Sequence, residues 1–384
     1  MNQLGGQMTE DPSATIAEHF GDLEDPRIDR TKLHPLINIL VIALCAAVCG
    51  ADNWVEIELF GESKREWFAQ FLDLTNGIPS HDTFGRVFGL LDAEQFQRCF
   101  INWVQAICEV LNGQVVAFDG KTLRRSHNRS AGKEAIHMVS AWATEAQLVL
   151  GQIKVDDKSN EITAIPALLD LLDLSGCIVT IDAIGCQKEI AKQIVEQDAD
   201  YVLALKANQG TLYQDAQTLF DDAQAIDFAD CDYHKTVDKG HGRIEIRECW
   251  TTAHPEYLTA LYKPEEWAGL QTVSMVRAER RIGEKRETET RYYIASLPGN
   301  ARQLLNAVRS HWHIENRLHW SLDVTFREDD SRIRTGNAAQ NMATLRHMAL
   351  NLLKQEQSTK RSMRGKRLKA GWDEDYLAQI LCGN

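Results

Sequence analysis

Two short apolar runs in this chain each end in an aspartate. Val115–Phe118 is followed by Asp119, and Ile178–Ile181 is followed by Asp182. Short runs of this kind, rich in β-branched residues and bounded by turn-forming residues, are typical of buried strands. The pattern therefore predicts a sheet in which two buried strands are each followed directly by a carboxylate.

The segments around these two runs predict the rest of the sheet. Further strands are expected at 136–142, 147–155 and 201–205, and helices at 164–174, 187–196 and 211–225. Three strands followed by alternating helices and strands predict a ribonuclease H-like α/β fold, a mixed sheet with helices on both faces. In that arrangement the first and fourth strands are neighbours, so we expect Asp119 and Asp182 to lie close together.

Composition and periodicity divide the chain into five predicted regions. These are an N-terminal helical domain (1–110), the first part of the core (111–226), a β-rich insertion (227–297), the return of the core (298–355) and a basic C-terminal tail (356–384). The longest apolar run, Leu36–Cys49, is shorter than the roughly 20 residues that a bilayer span requires. It predicts a buried helix, and we expect no membrane partner.

A helix is also predicted to begin after Ser80, which follows Pro79. Serine is a preferred N-cap residue. Ser80, Thr83 and Arg86 lie three residues apart, so they share one face of the helix. That face suits either a DNA-reading helix, as in helix-turn-helix proteins, or an ordinary capped structural helix.

Glu315 is a candidate third acid because it interrupts the apolar stripe of a late predicted helix. The stripe has the spacing of a single buried face and consists of Leu304, Val308, Trp312, Glu315 and Leu318. A carboxylate in such a stripe is costly unless a metal ion or an arginine meets it, and both alternatives are open. The rival acids Glu328, Asp329 and Asp330 are expected to form a solvated charge cluster in a loop.

The residue types indicate a metal centre. Carboxylates held close together need a cation between them, and Mg²⁺ favours carboxylate oxygens and water. Two such ions about 4 Å apart support in-line attack on a phosphodiester, with activation of the attacking hydroxyl and stabilisation of the leaving oxygen. Asp119, Asp182 and Glu315 are therefore both the candidate catalytic residues and the candidate metal ligands.

Basic residues near these acids are candidates to hold a phosphate backbone. They are Lys121, Arg124, Arg125, Lys188, Lys206, Arg309, Arg317, Arg327, Arg332 and Arg334, each of which is equally compatible with an ordinary surface charge. The net charge of −13 argues against indiscriminate coating of nucleic acid, but it is compatible with a local basic groove. The lysines and arginines between 354 and 369 suit either such a groove or a solvated, partly disordered end.

The cysteines and the N-terminus indicate the compartment. Nine cysteines occur without any C-x-x-C pair, and the first 35 residues are too polar for a secretory signal. We therefore expect a cytoplasmic protein with reduced thiols.

Five segments resemble a known family, the H-repeat-associated, ISAs-type transposases of bacterial insertion sequences. They are Phe20–Arg27, Pro79–Phe84, Phe118–Lys121, Lys206–Gln209 and His311–Asn316. The resemblance covers about residues 16–355 and implies a DDE transposase whose Asp119, Asp182 and Glu315 use Mg²⁺, with Mn²⁺ as a substitute. It further implies double-stranded DNA as the partner, both element ends and target, with residues 1–110 as the candidate DNA-end-binding domain, and a homodimer when DNA is bound.

The chain departs from the wider superfamily at the third acid. There the glutamate lies in a Y-x2-R-x3-E-x6-K motif, whereas the corresponding positions here are Val308, His311, Glu315 and Leu322. The Tyr, Arg and Lys of that motif are therefore not carried over. Three functions are compatible with the sequence: an active transposase, a transposase-derived DNA-binding protein without strand transfer, and a nuclease that cuts without joining.

Overall fold

The computed structural model describes residues 14–108, 111–127, 134–155, 160–240 and 242–382. Within these ranges nine strands form one mixed sheet. They are β1 (Val115–Thr122), β2 (His137–Ala143), β3 (Leu148–Lys154), β4 (Ile178–Ile181), β5 (Asp200–Leu205), β6 (Asp232–Gly240), β7 (Arg243–Thr252), β8 (Thr272–Ile282) and β9 (Lys285–Ala295). Their spatial order is β3-β2-β1-β4-β5-β9-β8-β7-β6.

The first five strands have the ribonuclease H-like arrangement. β1, β2 and β3 form an antiparallel meander, and β4 pairs in parallel with both β1 and β5. Phe118 lies opposite Ile181 in the register of β1 and β4. The predicted fold class and the predicted adjacency of these two strands are both confirmed.

The β-rich segment continues the same sheet. β9 pairs antiparallel with β5, and β8, β7 and β6 follow as a meander. The sequence predicts three of its four strands, at 243–252, 272–280 and 288–295, because these segments are rich in β-branched and aromatic residues. β6 was not delimited because most of its side chains are polar and exposed or half-buried, so it lacks a run of apolar residues that would mark it.

The described helices pack on this sheet and against one another. They are α1 (Ala14–Phe20), α2 (Leu36–Cys49), α3 (Trp54–Ser63), α4 (Arg65–Phe68), α5 (His81–Leu90), α6 (Ala93–Ile107), α7 (Glu161–Leu169), α8 (Lys188–Glu196), α9 (Gly210–Ala225), α10 (Pro255–Thr259), α11 (Ala301–His313), α12 (Ala338–Gln355), α13 (Met363–Trp372) and α14 (Glu374–Cys382).

α2 is the buried helix that the apolar run predicted. Its residues from Asn38 to Val48 are all buried, and Asn38, its one polar member, donates through Nδ2 to the Asp73 carbonyl at 2.6 Å. Among the described residues no single helix is long and apolar enough to cross a membrane. By length and composition alone α2 and α3 pass that test as a pair, with a bend of 96° between them.

α5 begins where the sequence predicts. The Ser80 hydroxyl accepts a hydrogen bond from the backbone N–H of Thr83, which caps the helix. α5 also packs against α12, where the Asn341 amide donates to the Phe88 carbonyl at 2.8 Å. The predicted capped helix is confirmed, and it joins the N-terminal helices to the core.

Residues 356–382 fold onto the body of the protein. The Lys366 side chain is buried, donates to the carbonyls of Leu353 (2.9 Å) and Glu356, and lies 3.2 Å from the Glu356 carboxylate. Arg367 is also buried and donates to the Ala47 carbonyl at 2.9 Å. These two cations were expected in either a DNA groove or a solvated end, and both interpretations are wrong for them because they attach α13 to the core.

Glu356 is expected to make the attachment of α13 and α14 sensitive to acid. Burial raises the pKa of its carboxyl, but hydrogen bonds from Ser358 and Tyr376 and the Lys366 ammonium outweigh burial and lower it to about 2. Because the pKa is depressed on folding, the stabilisation is complete above the ordinary value of 4.5 and is lost as the pH falls toward 2.

The variant Glu356→Gln should reduce the free energy of unfolding at neutral pH by about 1–3 kcal/mol and weaken its dependence on acid. Urea denaturation across an acidic pH series measures both quantities. Glu196→Gln, which changes an exposed glutamate, serves as the control. A pH dependence that matches wild type would contradict the assignment.

Candidate functional site

Asp119 is the first residue of β1 beyond the segment that pairs with β4. The register of β1 and β4 ends at Phe118 and Ile181, whereas β1 continues beside β2 as far as Thr122. The strand therefore runs beyond Phe118, where the sequence predicts its end. The separation of the two parallel strands after this point leaves room for the side chains of Asp119 and Asp182.

Asp182 is held by its own turn. Its carboxylate caps the 3₁₀ turn Ala183–Gly185 and accepts a hydrogen bond from the Ile184 N–H at 2.9 Å. The Asn208 side-chain amide donates to the Ala183 carbonyl at 2.7 Å, and the Gln209 amide donates to the carbonyl of Cys186. The segment after β5 thus positions the loop that carries Asp182, a role that the sequence pattern did not suggest.

Glu315 lies just after α11, where the helix changes type. Residues Ile314–His319 form a π-helical segment, and a second one follows at Ser321–Thr325. The predicted buried stripe is therefore wrong in part, because Trp312 is 42% exposed and the Glu315 side chain is 56% exposed. A π-helical turn contains more residues than an α-helical turn, so the α-helical spacing does not continue beyond Ile314. Trp312 precedes this segment in α11, where the Arg291 guanidinium lies 4.3 Å from the centre of the indole ring.

The three acids line one cavity of about 320 Å³. A fourth group, His319, extends this cluster. Its Nδ1 lies 3.5 Å from an Asp119 carboxylate oxygen and 3.6 Å from a Glu315 carboxylate oxygen. One potential ligand atom from each of Asp119, Glu315 and His319 lies within 4.8 Å of the other two, and Asp182 is outside this set.

His319 is not among the residues that the sequence predicts as ligands. The sequence also contains His311 and His313, but side chains two residues apart on a helix point away from each other, which makes joint ligation by that pair unfavourable. The available signal was a separation of four residues between Glu315 and a histidine on the same helix. His311 has a different partner, because its Nδ1 lies 3.1 Å from the Thr180 hydroxyl. Burial lowers the pKa of His311 to about 4, so this ring is neutral at physiological pH.

The electrostatics of the cluster fit a cation. Burial raises the pKa of Asp119 to about 7, Glu315 also raises it, and His319 opposes them. His319 is buried, and its Nε2 has no hydrogen-bond partner in the described part of the chain. Two carboxylates and an imidazole are donors that divalent metal ions accept, so these side chains fit a metal ion.

Gly120 permits the close packing beside Asp119. A Cβ atom at this position would lie 2.1 Å from Glu161 Oε1 and 2.6 Å from His137 Nε2. These two side chains contact each other at 2.6 Å. Only glycine therefore fits between Asp119 and Lys121 without displacing this pair.

Lys121 and Glu328 form a buried ion pair that the sequence did not predict. The Lys121 ammonium lies 2.7 Å from the Glu328 carboxylate and 2.5 Å from Asp323, and Arg346 approaches Glu328 at 4.0 Å. Glu328 is 3% exposed, so the expectation that it belongs to a solvated cluster is wrong. Its two cations replace solvent, and Lys121 is accordingly engaged within the protein rather than free for a phosphate backbone.

Four other candidate cations are ion-paired within the protein. The pairs are Arg124–Asp329 (3.2 Å), Arg125–Asp330 (3.4 Å), Arg309–Asp238 (2.9 Å) and Lys188–Glu266. Arg317 is half-buried. Lys206, in contrast, is exposed and lines the same cavity as the three acids.

A second cavity, of about 1040 Å³, holds the remaining candidate cations. It lies between α3, α5 and the segment 327–336, and Arg327, Arg332 and Arg334 line it together with Arg86. Arg334 donates to the Arg125 carbonyl at 2.8 Å, and Arg327 lies 3.3 Å from Asp330. We refer to this cavity as the arginine groove.

Comparison with known families gives two matches along the chain. The family model described as Transposase DDE domain matches residues 111–352, and the DDE_Tnp_1-associated model matches residues 17–104. The first of these covers all three acids and His319.

Individual relatives agree with the family models. The chain is 42% identical over 373 residues to the H repeat-associated putative transposase YhhI of Escherichia coli K12, covering 96% of this chain and 98% of the relative. It is 40% identical over 371 residues to the putative transposase YncI of Escherichia coli O157:H7, covering 96% and 94%. Among solved structures, a piggyBac transposase synaptic complex with hairpin DNA aligns with a TM-score of 0.42 and 9% identity, over 97% of this chain and 77% of that one.

The variant Lys121→Met tests the buried ion pair, because it leaves the Glu328 carboxylate without its nearest cation. We expect the free energy of unfolding to fall by about 3–5 kcal/mol, measured by urea denaturation. Lys121→Met combined with Glu328→Gln should recover part of this loss, since the buried charge is then absent.

The matched control is Lys192→Met, because Lys192 is exposed and pairs with Glu196 on the surface. Its effect should stay within about 0.5 kcal/mol. If Lys121→Met destabilises the protein no more than this control does, the ion pair is not structural.

Proposed function

The chain belongs to the DDE transposase family, and we propose that it cleaves the ends of an insertion sequence and joins the 3′-hydroxyl to target DNA. The proposal rests above all on one observation: Asp119, Asp182 and Glu315, from two neighbouring strands and a helix, line one cavity. We assign to these three the catalytic role and the binding of Mg²⁺, for which Mn²⁺ can substitute. The family implies a divalent metal ion.

The metal ions supply activation of the attacking hydroxyl and neutralisation of charge at the departing 3′-oxygen. The protein's contribution is to hold the three carboxylates in place before DNA arrives. The capped turn and the amide of Asn208 orient Asp182, and the sheet holds Asp119. Glu315 is partly exposed, so DNA has access to the centre from this side.

Double-stranded DNA is the partner that the transposase family implies. Lys206 lies at the cavity of the acids, and Arg332 and Arg334 line the arginine groove. Since helices α3 and α5 form one wall of this groove, we assign recognition of the element ends to the N-terminal helical region. Coordinated cutting of two ends further calls for a homodimer on DNA.

Asp119→Asn, Asp182→Asn and Glu315→Gln should each reduce DNA cleavage and joining by roughly a thousandfold, because each removes a charged metal ligand. The assay uses purified protein, Mg²⁺ and duplexes taken from the DNA on both sides of the gene, which the proposed function requires to contain inverted repeats. Gel-shift binding of the same duplexes should persist, and Asp173→Asn serves as the control.

A wild-type protein that binds the ends but never cuts them would instead indicate a transposase-derived DNA-binding protein. Cutting without a joined product would indicate a nuclease.

Arg332→Ala and Arg334→Ala should weaken DNA binding at all sequences to a similar degree, because phosphate contacts carry no sequence information. Each loss should also reduce the slope of log affinity against log salt concentration by about 1. Fluorescence anisotropy over a salt series measures this, with the surface variant Lys192→Ala as the control. Slopes identical to wild type would place the DNA backbone elsewhere.

A further inference from the structure

We propose that His319 is a nitrogen ligand of the metal centre and that it makes this centre bind Mn²⁺ more tightly than Mg²⁺. This inference rests on the proposed function, because it assigns a metal ligand beyond the three carboxylates. It also predicts that the imidazole raises the preference for Mn²⁺ above that of a centre built of carboxylates and water alone.

The position of the imidazole supports this assignment. His319 Nδ1 faces both Asp119 (3.5 Å) and Glu315 (3.6 Å). These distances are too long for good hydrogen bonds, so neither carboxylate occupies the nitrogen. Ligands on opposite sides of an octahedral ion lie about 4.2 Å apart, and the three ligand atoms here lie within 4.8 Å of one another.

Burial of the ring fixes the direction of its two nitrogens. His319 is 6% exposed, so the ring has little freedom to turn away from the two carboxylates. Nε2, which is buried with no hydrogen-bond partner among the described residues, lies on a different edge of the ring from Nδ1. The proposed metal contact is therefore made by Nδ1 alone.

The helix geometry brings the donor atoms together. Glu315 and His319 are four residues apart within the π-helical segment, and Asp119 approaches both of them from β1. π-helical turns are frequent at functional sites because they redirect side chains. The neighbouring His313 lies outside the cluster and is half-buried, which makes it a matched control.

The donor atoms determine which metal ion the centre is expected to prefer. Mg²⁺ strongly favours oxygen ligands and keeps several waters. Mn²⁺ also takes oxygen ligands, but as a first-row transition-metal ion it accepts an imidazole nitrogen more readily than Mg²⁺ does. Replacing one oxygen donor by His319 should therefore favour Mn²⁺ over Mg²⁺.

The experiment measures metal binding to the full-length protein without DNA. Isothermal titration with MnCl₂ and with MgCl₂ is compared for wild type, His319→Gln and His313→Gln. His319→Gln should weaken Mn²⁺ binding by about tenfold or more while changing Mg²⁺ affinity by less than about threefold. His313→Gln should leave both affinities unchanged.

Pulsed electron paramagnetic resonance of bound Mn²⁺ gives a readout that does not depend on a variant folding. Wild type should show nitrogen hyperfine coupling to Mn²⁺, and His313→Gln should retain this coupling. Absence of the coupling in wild type, or an equal loss of both metals in His319→Gln, would overturn the assignment and leave His319 as a counter-charge for the carboxylates.

The two proposals fail separately. Protein that binds Mn²⁺ with nitrogen coupling but does not cut DNA contradicts only the proposed function. Protein that cuts DNA but shows no nitrogen coupling contradicts only the ligand assignment.

Discussion

The parallel pairing of β1 with β4 is the constraint on which the rest of the structure depends. It places Phe118 opposite Ile181, so the two aspartates that follow leave the sheet at the same edge. A shift of one residue would turn one of the two side chains to the opposite face. The turn that Asp182 caps and the glycine after Asp119 are local adaptations to this pairing.

Acidic groups that lie this close together need cations. The protein places its acidic side chains in two different environments. Beside the cavity, Lys121 joins Asp323 and Glu328 in a buried network that connects β1 to the segment after Glu315. Within the cavity, Asp119 and Glu315 face His319 without a lysine or arginine pairing with either in the described residues. The first arrangement is structural, and the second leaves a place for metal.

Much of the fold was predictable because it depends on local patterns. The apolar runs predicted the strands of the core, Ser80 predicted the start of α5, and the run Leu36–Cys49 predicted a buried helix. The resemblance to insertion-sequence transposases is confirmed by the family match. β6 and the docking of α13 were missed, because polar strands and buried cations have no apolar periodicity to reveal them.

At the candidate site, the sequence by itself determined which carboxylates follow the two core strands, since hydrophobic patterning sets where each strand runs. The sequence could not determine which side chains lie beside these carboxylates in the folded protein. The change to π-helix after His313, the burial of Glu328 against Lys121 and the approach of His319 to Asp119 all join residues that are distant in the chain or depend on how a helix winds under packing. Only the tertiary structure decided these contacts, because the free energy of a buried charge depends on its neighbours in space rather than on its neighbours in sequence.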